Sequence, residues 1–90
     1  MNAPPSIRGT AANATGSALR EHVGRAVRRY LSDLGDHPDG ELHAFVLREV
    51  EAPLFAEVLR HFDGNQTRAA AALGINRATL RRRLRDLGLD

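Results

Sequence analysis

Residues 64–84 read GNQTRAAAALGINRATLRRRL, and this stretch carries the strongest folding signals of the chain. Gly64 allows a preceding helix to end in the left-handed conformation, which costs glycine little. Asn65 can cap the next helix by accepting a hydrogen bond from a free backbone N–H. Gly74 then ends that short helix, and Asn76 caps the following one. The stretch therefore predicts two short helices joined by a glycine turn.

The apolar residues of this stretch have the spacing of helices that pack closely. Ala69, Ala70 and Leu73 give the first helix a small apolar face, and Ile75 fills the corner after the turn. Leucines recur at i, i+4 and i+7 in the second helix, which places them on one buried stripe. These leucines are Leu80, Leu84 and Leu87.

The surface of the second helix opposite the leucines is predicted to be basic. Its arginines are Arg77, Arg81, Arg82, Arg83 and Arg85. A simpler interpretation is that Asn65 and Asn76 cap their helices and do nothing more, and that the arginines form a solvated face without a ligand. However, Gln66, Ala70 and Gly74 are four residues apart, as the first helix and turn of a helix-turn-helix require. Thr79 also lies near the start of the basic helix. The combination favours a helix-turn-helix that reads base edges and phosphates in a DNA major groove.

This motif resembles the C-terminal motif of the Fis (factor for inversion stimulation) family, bacterial nucleoid-associated proteins that bend DNA. The matching segments are Gly-Asn-Gln-Thr-Arg-Ala-Ala at 64–70, Gly-Ile-Asn-Arg at 74–77 and Thr-Leu-Arg at 79–81. The resemblance continues through Leu-Arg-Glu-Val-Glu-Ala-Pro-Leu at 47–54 and extends upstream to about Leu19. The same motif ends the enhancer-binding activators of the nitrogen-regulation type. There it follows a much larger ATPase, which we expect this chain to lack.

The resemblance implies a role for each matching residue at the start of the two short helices. Asn65 and Thr67 resemble positions that contact phosphates and fix the docking angle. Arg68 resembles a position that reaches flanking DNA when the duplex bends. Asn76 and Arg77 resemble the base-reading pair, and an arginine such as Arg77 can bind the O6/N7 edge of guanine with two hydrogen bonds.

Further along the second helix, the resemblance implies that Thr79 and Arg81 hold phosphates and that Arg82 touches phosphate and groove. Arg83 and Arg85 complete the basic surface. Family members often carry lysine in this region, so arginine keeps the charge but alters the donor geometry. The predicted DNA-binding residues are Asn65, Gln66, Thr67, Arg68, Asn76, Arg77, Thr79, Arg81, Arg82, Arg83 and Arg85.

Composition and charge limit the class of protein. Ninety residues allow one small domain, whose core is marginal without a metal, a disulfide or oligomerisation. The chain has no cysteine, which excludes disulfides and thiolate–metal sites. It has no long apolar run and no signal-like N-terminus, so we expect a soluble cytoplasmic protein, located at the nucleoid if it binds DNA.

The net charge of +2 is distributed unevenly. Residues 64–90 hold six arginines and two acids, whereas residues 1–63 hold seven arginines and nine acids. A basic end on a mildly acidic body is typical of a DNA-facing surface.

The N-terminal half is predicted to be helical after a flexible tail. Residues 1–17 are small and polar, so little in them offsets the entropy of ordering. We expect Ser17 to cap a helix that runs to about Leu34, and residues 35–40 to form a loop. The apolar face of this helix carries Leu19, Val23, Val27, Tyr30, Leu31 and Leu34.

A long second helix is expected from about Glu41 to Phe62, with a kink near Glu49–Pro53 rather than a break. Its apolar residues are Leu42, Phe45, Val46, Val50, Leu54, Phe55, Val58, Leu59 and Phe62. A monomeric core could cover part of them, but a dimer of crossing helices covers them better and presents two recognition helices to a pseudo-palindromic site. The resemblance implies the same intertwined homodimer.

The sequence therefore predicts an all-α fold, with a four-helix protomer and a C-terminal helix-turn-helix. The predicted regions are a flexible tail at 1–17, a helical dimerisation core at 18–63 and a DNA-binding region at 64–90, with the motif at about 66–85.

No catalytic arrangement is evident, so we expect no enzyme activity, cofactor, metal or small-molecule substrate. The four histidines are scattered without HxxxH or HxxEH spacing, and no glycine-rich phosphate loop follows a strand. Asp36-His37-Pro38-Asp39 could hold an ion weakly, but its composition is more typical of a turn.

Two function classes remain open from the sequence. The first is a free-standing homodimeric protein that binds and bends DNA and so controls transcription. The second is a regulatory module whose motif contacts another protein. In the best-known Fis proteins, an N-terminal β-hairpin arm activates a DNA invertase. Residues 1–18 lack alternating strands and a hairpin turn, so we do not extend that activity to this chain.

Overall fold

The structure, a computed structural model, describes residues 5–36 and 39–90. In these ranges it contains four helices, α1 at Pro5–Leu34, α2 at Leu42–His61, α3 at Gln66–Leu73 and α4 at Arg77–Asp86. The predicted all-α class is confirmed for this part of the chain. The chain divides into two compact units, residues 1–38 and residues 39–90.

Helix α1 begins at Pro5 rather than at Ser17, which lies inside the helix. The prediction of a cap at Ser17 is therefore wrong, and residues 5–17 are helical where a flexible tail was expected. Proline suits a first helical position because no backbone donor is needed there. The segment is rich in alanine, the strongest helix former, and it extends a helix that is already nucleated. Residues 1–4 of the expected tail lie outside the described residues.

The predicted loop at 35–40 is described at both of its ends, whereas residues 37 and 38 lie outside the described residues. Gly35, with φ +68°, donates its N–H to the carbonyl of Leu31 at 3.1 Å and so ends α1. Asp39 Oδ1 accepts the N–H of Glu41 at 2.9 Å, one residue before α2 begins. Turn chemistry therefore closes α1 and opens α2, as the composition predicts.

Helix α2 lies within one residue of its expected bounds at each end and is continuous through Pro53. The predicted absence of a break is confirmed, and the kink stays a prediction. Phe55 is buried on the face that packs against α3 and α4. Two other apolar residues of α2, Leu47 and Leu54, are exposed, and Leu54 keeps 43 % of its surface accessible to solvent. The apolar excess seen in the sequence thus divides between a covered face and an exposed one.

The core of the unit formed by residues 39–90 lies where α2, α3 and α4 meet. Its buried residues are Phe55, Ala69, Ala70, Leu80 and Leu84. Half-buried side chains surround them, namely Val58, Leu59, Phe62, Leu73, Ile75 and Leu87. The alanines of α3 allow the helices to approach closely, and the leucines of α4 fill the space that this approach creates. The apolar faces predicted for α3 and α4 are confirmed.

Helices α2 and α3 end with the same pair of backbone hydrogen bonds. Gly74, at φ +74°, donates to the carbonyl of Ala71 at 3.2 Å, and Ile75 donates to that of Ala70 at 3.0 Å. At the end of α2, Asp63 and Gly64 donate to Arg60 and Leu59 at 3.2 and 2.8 Å. This is the Schellman arrangement, whose first residue is left-handed.

The left-handed exit from α2 involves two residues rather than the one that the sequence indicates. Asp63 has φ +54°, and Gly64 after it has φ +81°. Aspartate is one of the few non-glycine residues that tolerate this conformation, because its short polar side chain can bond locally. The sharp turn between α2 and α3 is therefore built from Asp63 and Gly64 together, and it delivers Asn65 to the start of α3.

Candidate nucleic-acid interface

Two asparagines cap the two helices of the motif. Asn65 Oδ1 accepts the backbone N–H of Arg68 at 3.1 Å, and Asn76 Oδ1 accepts that of Ala78 at 2.7 Å. Both asparagines have extended backbones and are exposed. The predicted caps are confirmed. A cap uses the carbonyl oxygen of the side chain, so the amide nitrogen keeps its two N–H donors for an acceptor such as a phosphate or a base edge.

Helix α4 is fixed on its buried side and basic on its outer side. Leu80 and Leu84 are fully buried, whereas Arg77, Arg81 and Arg82 are exposed. Arg82 lies midway in sequence between the two leucines, which at 3.6 residues per turn puts it opposite the buried stripe. Packing of the leucines thus fixes the side of α4 from which these arginine side chains project. Thr79 is half-buried at the edge of that surface.

Arg83 belongs to this exposed group and also reaches α2. Its Nη2 lies 3.4 Å from Oε2 of Glu51 on α2. Arg83 is exposed like the other arginines of the predicted basic surface, and its contact with DNA stays a prediction. Arg85 stays on the exposed side and lies 4.0 Å from Asp90 through its Nε, a contact that solvent screens.

The start of α3 adds a second group of polar and basic side chains. Thr67 and Arg68 are exposed, and Gln66 is half-buried. The guanidinium carbon of Arg68 lies 5.1 Å from the centroid of the Phe62 ring, within the range of a cation–π interaction. The ring of Phe62 also meets that of His61 edge-on at 4.8 Å. Arg68 is thereby held beside the turn between α2 and α3.

The electrostatics of this surface have one sign. Residues 64–85 contain six arginines and no acidic residue, and their arginine side chains are exposed. Two acids from outside these residues approach the group, Glu51 of α2 at Arg83 and Asp90 at Arg85. A cationic surface held on a rigid helix attracts a polyanion and orients it by hydrogen bonds.

The described residues give no indication of a metal site or of a membrane-spanning helix. Within them, no group of three or more histidine, aspartate or glutamate side chains is placed so that it could hold a metal ion. None of their helices combines the length and the apolar character needed to cross a membrane.

Comparison with known proteins gives the family. A family model described as "Bacterial regulatory protein, Fis family" matches residues 46–87. A Fis-like DNA-binding protein of Xylella fastidiosa strain Temecula1 is 53 % identical over 89 residues, which are 99 % of each chain. The chain belongs to the Fis family. Other Fis family relatives carry the name DNA-binding protein Fis. That of Glaesserella parasuis is 51 % identical over 71 residues, 79 % of this chain and 72 % of its own. That of Pasteurella multocida is 44 % identical over 84 residues, 93 % and 85 % of the two chains.

The Fis family match and the site geometry coincide in the chain. The matched residues 46–87 include most of α2, all of α3 and α4, and every one of the eleven predicted site residues. The resemblance in the sequence is therefore confirmed at the level of the family. Glu51 is the residue of this surface that the sequence pattern did not indicate. The feature of the sequence that could have indicated Glu51 is its position one helical turn before Phe55, which places an acid on the covered face of α2.

We expect the cap of α4 to be separable from the other roles of Asn76 by two substitutions. Asn76→Ala removes the bond to the N–H of Ala78 and should lower the free energy of unfolding by about 1 kcal/mol. Asn76→Asp retains an equally good acceptor and should leave it nearly unchanged. Urea unfolding followed by circular dichroism measures both. Equal losses for the two variants would show that the cap is not what Asn76 contributes to stability.

Proposed function

We propose that this Fis family protein is a homodimer that binds DNA with sequence selectivity, bends it, and regulates transcription as a nucleoid-associated protein. The observation that carries the proposal is the arginine surface of α4, capped by Asn76 and anchored by Leu80 and Leu84. Such a helix can enter a major groove without rearranging, because its buried side is already packed. Relatives named DNA-binding protein Fis support the same role.

In this proposal, the start of α4 reads bases and the surrounding residues hold phosphates. Asn76 uses its amide donors and Arg77 its two-pronged guanidinium at base edges. Asn65 and Thr67 at the start of α3, together with Arg81, grip the backbone and fix the docking angle. The remaining members of the proposed surface are Gln66, Thr79, Arg82, Arg83 and Arg85.

The homodimer is supported by apolar side chains that are exposed on α1 and on α2. Leu54 of α2 is 43 % exposed and Leu19 of α1 is 51 % exposed, and Leu31 and Leu47 are exposed as well. The five buried residues of the described part of the chain make a small core. Pairing of these helices with a second copy would remove the apolar surface from water and place two α4 helices on one side of the dimer.

DNA bending follows if the two α4 helices of the dimer lie closer together than one turn of straight B-DNA, about 34 Å. Both helices can then enter successive major grooves only if the intervening minor groove narrows and the duplex curves. Bending would bring flanking phosphates towards Arg68, whose guanidinium rests on Phe62 beside the turn. Sequence preference would then include central base pairs that no side chain touches.

The proposal includes neither an enzyme activity nor invertase activation, and it assigns no cofactor or small-molecule substrate. In the Fis proteins with an activating arm, that arm is a β-hairpin, whereas residues 5–17 of this chain are helical. A module whose motif contacts a protein instead of DNA is the alternative. The two functions differ in salt dependence. For each phosphate that a protein neutralises on duplex DNA, a tenfold rise in salt concentration lowers the logarithm of the binding constant by about 0.9.

Base reading and phosphate holding should respond differently to substitution. Arg77→Ala should cost about 1–3 kcal/mol on preferred sites and flatten the preference at one guanine per half-site. Arg81→Ala should weaken binding to all sequences alike and lower the salt slope by about one. Fluorescence anisotropy titrations over a range of salt measure both. Arg48→Ala, an exposed arginine of α2 outside the motif, is the control for loss of one charge. Similar behaviour of all three variants would contradict the assigned roles, and a flat salt dependence of the unmodified protein would favour the alternative.

Assembly should be coupled to folding. If two copies bury the exposed leucines of α1 and α2, the unfolding temperature should rise with protein concentration. Leu54→Glu should shift the protein towards monomer in analytical ultracentrifugation, because a carboxylate cannot be buried there without a partner. Leu89→Glu is the matched control, since Leu89 is an exposed leucine of the C-terminal end outside α1 and α2. A folded, monodisperse monomer of the unmodified protein at micromolar concentration contradicts the dimer.

Bending should depend on DNA that the protein does not touch. Replacing central A·T pairs by G·C should lower affinity, because a segment whose minor groove is wider to begin with costs more to compress. Arg68→Ala should reduce the bend more than the affinity, since it removes contacts that form only when flanking DNA curves. Mobility of complexes on circularly permuted fragments measures the bend. A straight complex with no effect of the central sequence would leave a dimeric DNA binder without a bending role.

A further inference from the structure

Glu51 and Arg83 form an ion pair between two helices that are far apart in the chain. Arg83 Nη2 lies 3.4 Å from Glu51 Oε2, which joins the middle of α2 to the recognition helix α4. By contrast, the ion pairs Arg25–Glu21, Arg60–Glu57 and Arg85–Asp90 each join side chains five residues apart or fewer. The Glu51–Arg83 pair is therefore the one among them that can influence how one helix is placed on another.

The pair lies at the rim of the hydrophobic core. Glu51 precedes Phe55 by one turn on the covered face of α2, and Arg83 directly precedes Leu84 on α4. Phe55 and Leu84 belong to the same buried cluster. The charges thus continue the α2–α4 contact beyond the point where apolar packing ends.

The two partners differ in exposure, which determines what each can do. The Glu51 side chain is 19 % exposed and that of Arg83 is 45 % exposed. The Glu51 carboxylate is partly shielded from water, and Arg83 supplies it with a cationic partner. Arg83 has five N–H donors, so it can keep one towards Glu51 and offer others to a phosphate.

The packing of α4 on the rest of the unit explains why such a link matters. α3 makes the larger helix contacts with both α2 and α4, so α4 is joined to α2 largely through α3. A carboxylate that reaches across from α2 restrains the tilt of α4 directly. Base reading needs α4 to be held accurately, because hydrogen bonds to base edges depend on geometry more strongly than attraction to phosphates does.

From this geometry we infer that Glu51 is a positioning residue for DNA reading: it anchors Arg83 and thereby fixes α4 in the orientation in which Asn76 and Arg77 meet base edges. The inference rests on the proposed function. Glu51 also offsets the charge of Arg83, so the pair adds little attraction for DNA of arbitrary sequence. Its contribution is to discrimination between sequences.

The test compares Glu51→Gln with Glu49→Gln in the full-length protein. Both remove one acid from α2, but Glu49 is exposed and lies on a different side of the helix. The readout is the ratio of Kd values for a scrambled duplex and for a duplex selected in vitro with the unmodified protein. Glu51→Gln should lower this ratio about fivefold, of the order of a modest coupling between sites. Glu49→Gln should leave the ratio unchanged, and neither variant should weaken binding to the scrambled duplex.

A double-mutant cycle with Arg83→Gln keeps the inference testable even if Glu51→Gln alone folds poorly. Arg83→Gln breaks the same pair from its exposed side. It should lower the ratio to a similar extent, and the double variant should be no worse than either single variant. Circular dichroism at the assay temperature shows whether each variant is folded.

The outcomes separate the inference from the proposed function. Equal ratios for Glu51→Gln and Glu49→Gln would overturn the positioning role. It would also be overturned if Arg83→Gln left the ratio unchanged while weakening both duplexes, because Arg83 would then act only as a phosphate contact. If the unmodified protein did not distinguish its selected duplex or lacked salt-dependent binding, the proposed function itself would fail.

Discussion

Burial of Leu80 and Leu84 against the alanines of α3 is the interaction on which the proposed DNA-binding surface depends. Both leucines are fully buried in a cluster with Ala69, Ala70 and Phe55. Because α4 is amphipathic, seating this side also fixes the opposite side, where exposed arginines project into solvent. A larger residue at Ala69 or Ala70 would separate the helices and cost about 1–3 kcal/mol through overpacking. The same change would misplace every proposed contact on α4.

Helix ends then determine where that surface begins. The left-handed residues Asp63, Gly64 and Gly74 turn the chain sharply, so that Asn65 and Asn76 arrive at the first turns of α3 and α4. Each asparagine satisfies a backbone donor with its oxygen and retains its N–H groups. In the proposed complex with DNA, stability and recognition would therefore use different atoms of one side chain. This division explains how residues that maintain the local fold can also be available to a ligand.

The structure gives α2 two separate tasks along its length. One face, centred on Phe55, supports the helix-turn-helix, whereas Leu47 and Leu54 remain exposed and form the basis of the proposed dimer. Glu51 lies at the edge of the first face and reaches Arg83 on α4. In the proposed assembly, α2 would connect the surface that pairs two copies to the helix that reads DNA. A change in α2 could then alter spacing, tilt and bending together.

The local features of this protein follow from its amino-acid sequence alone. Helix caps, the glycine turn and the leucine spacing depend on residues within a few positions of one another, so the roles of Asn65, Gly74, Asn76 and Leu80 can be assigned from the order of residues. Family membership follows from the same motif. Sequence-based prediction failed where opposing local signals have similar weight, as in residues 5–17, which are polar enough for a tail but rich enough in alanine for a helix. The contact between Arg83 and Glu51 could be found only in the folded structure, because the two residues lie on different helices. The order of residues in the chain does not indicate which charged side chains will meet. Helical periodicity defines the face on which a side chain lies, but the packing of helices defines what that face contacts.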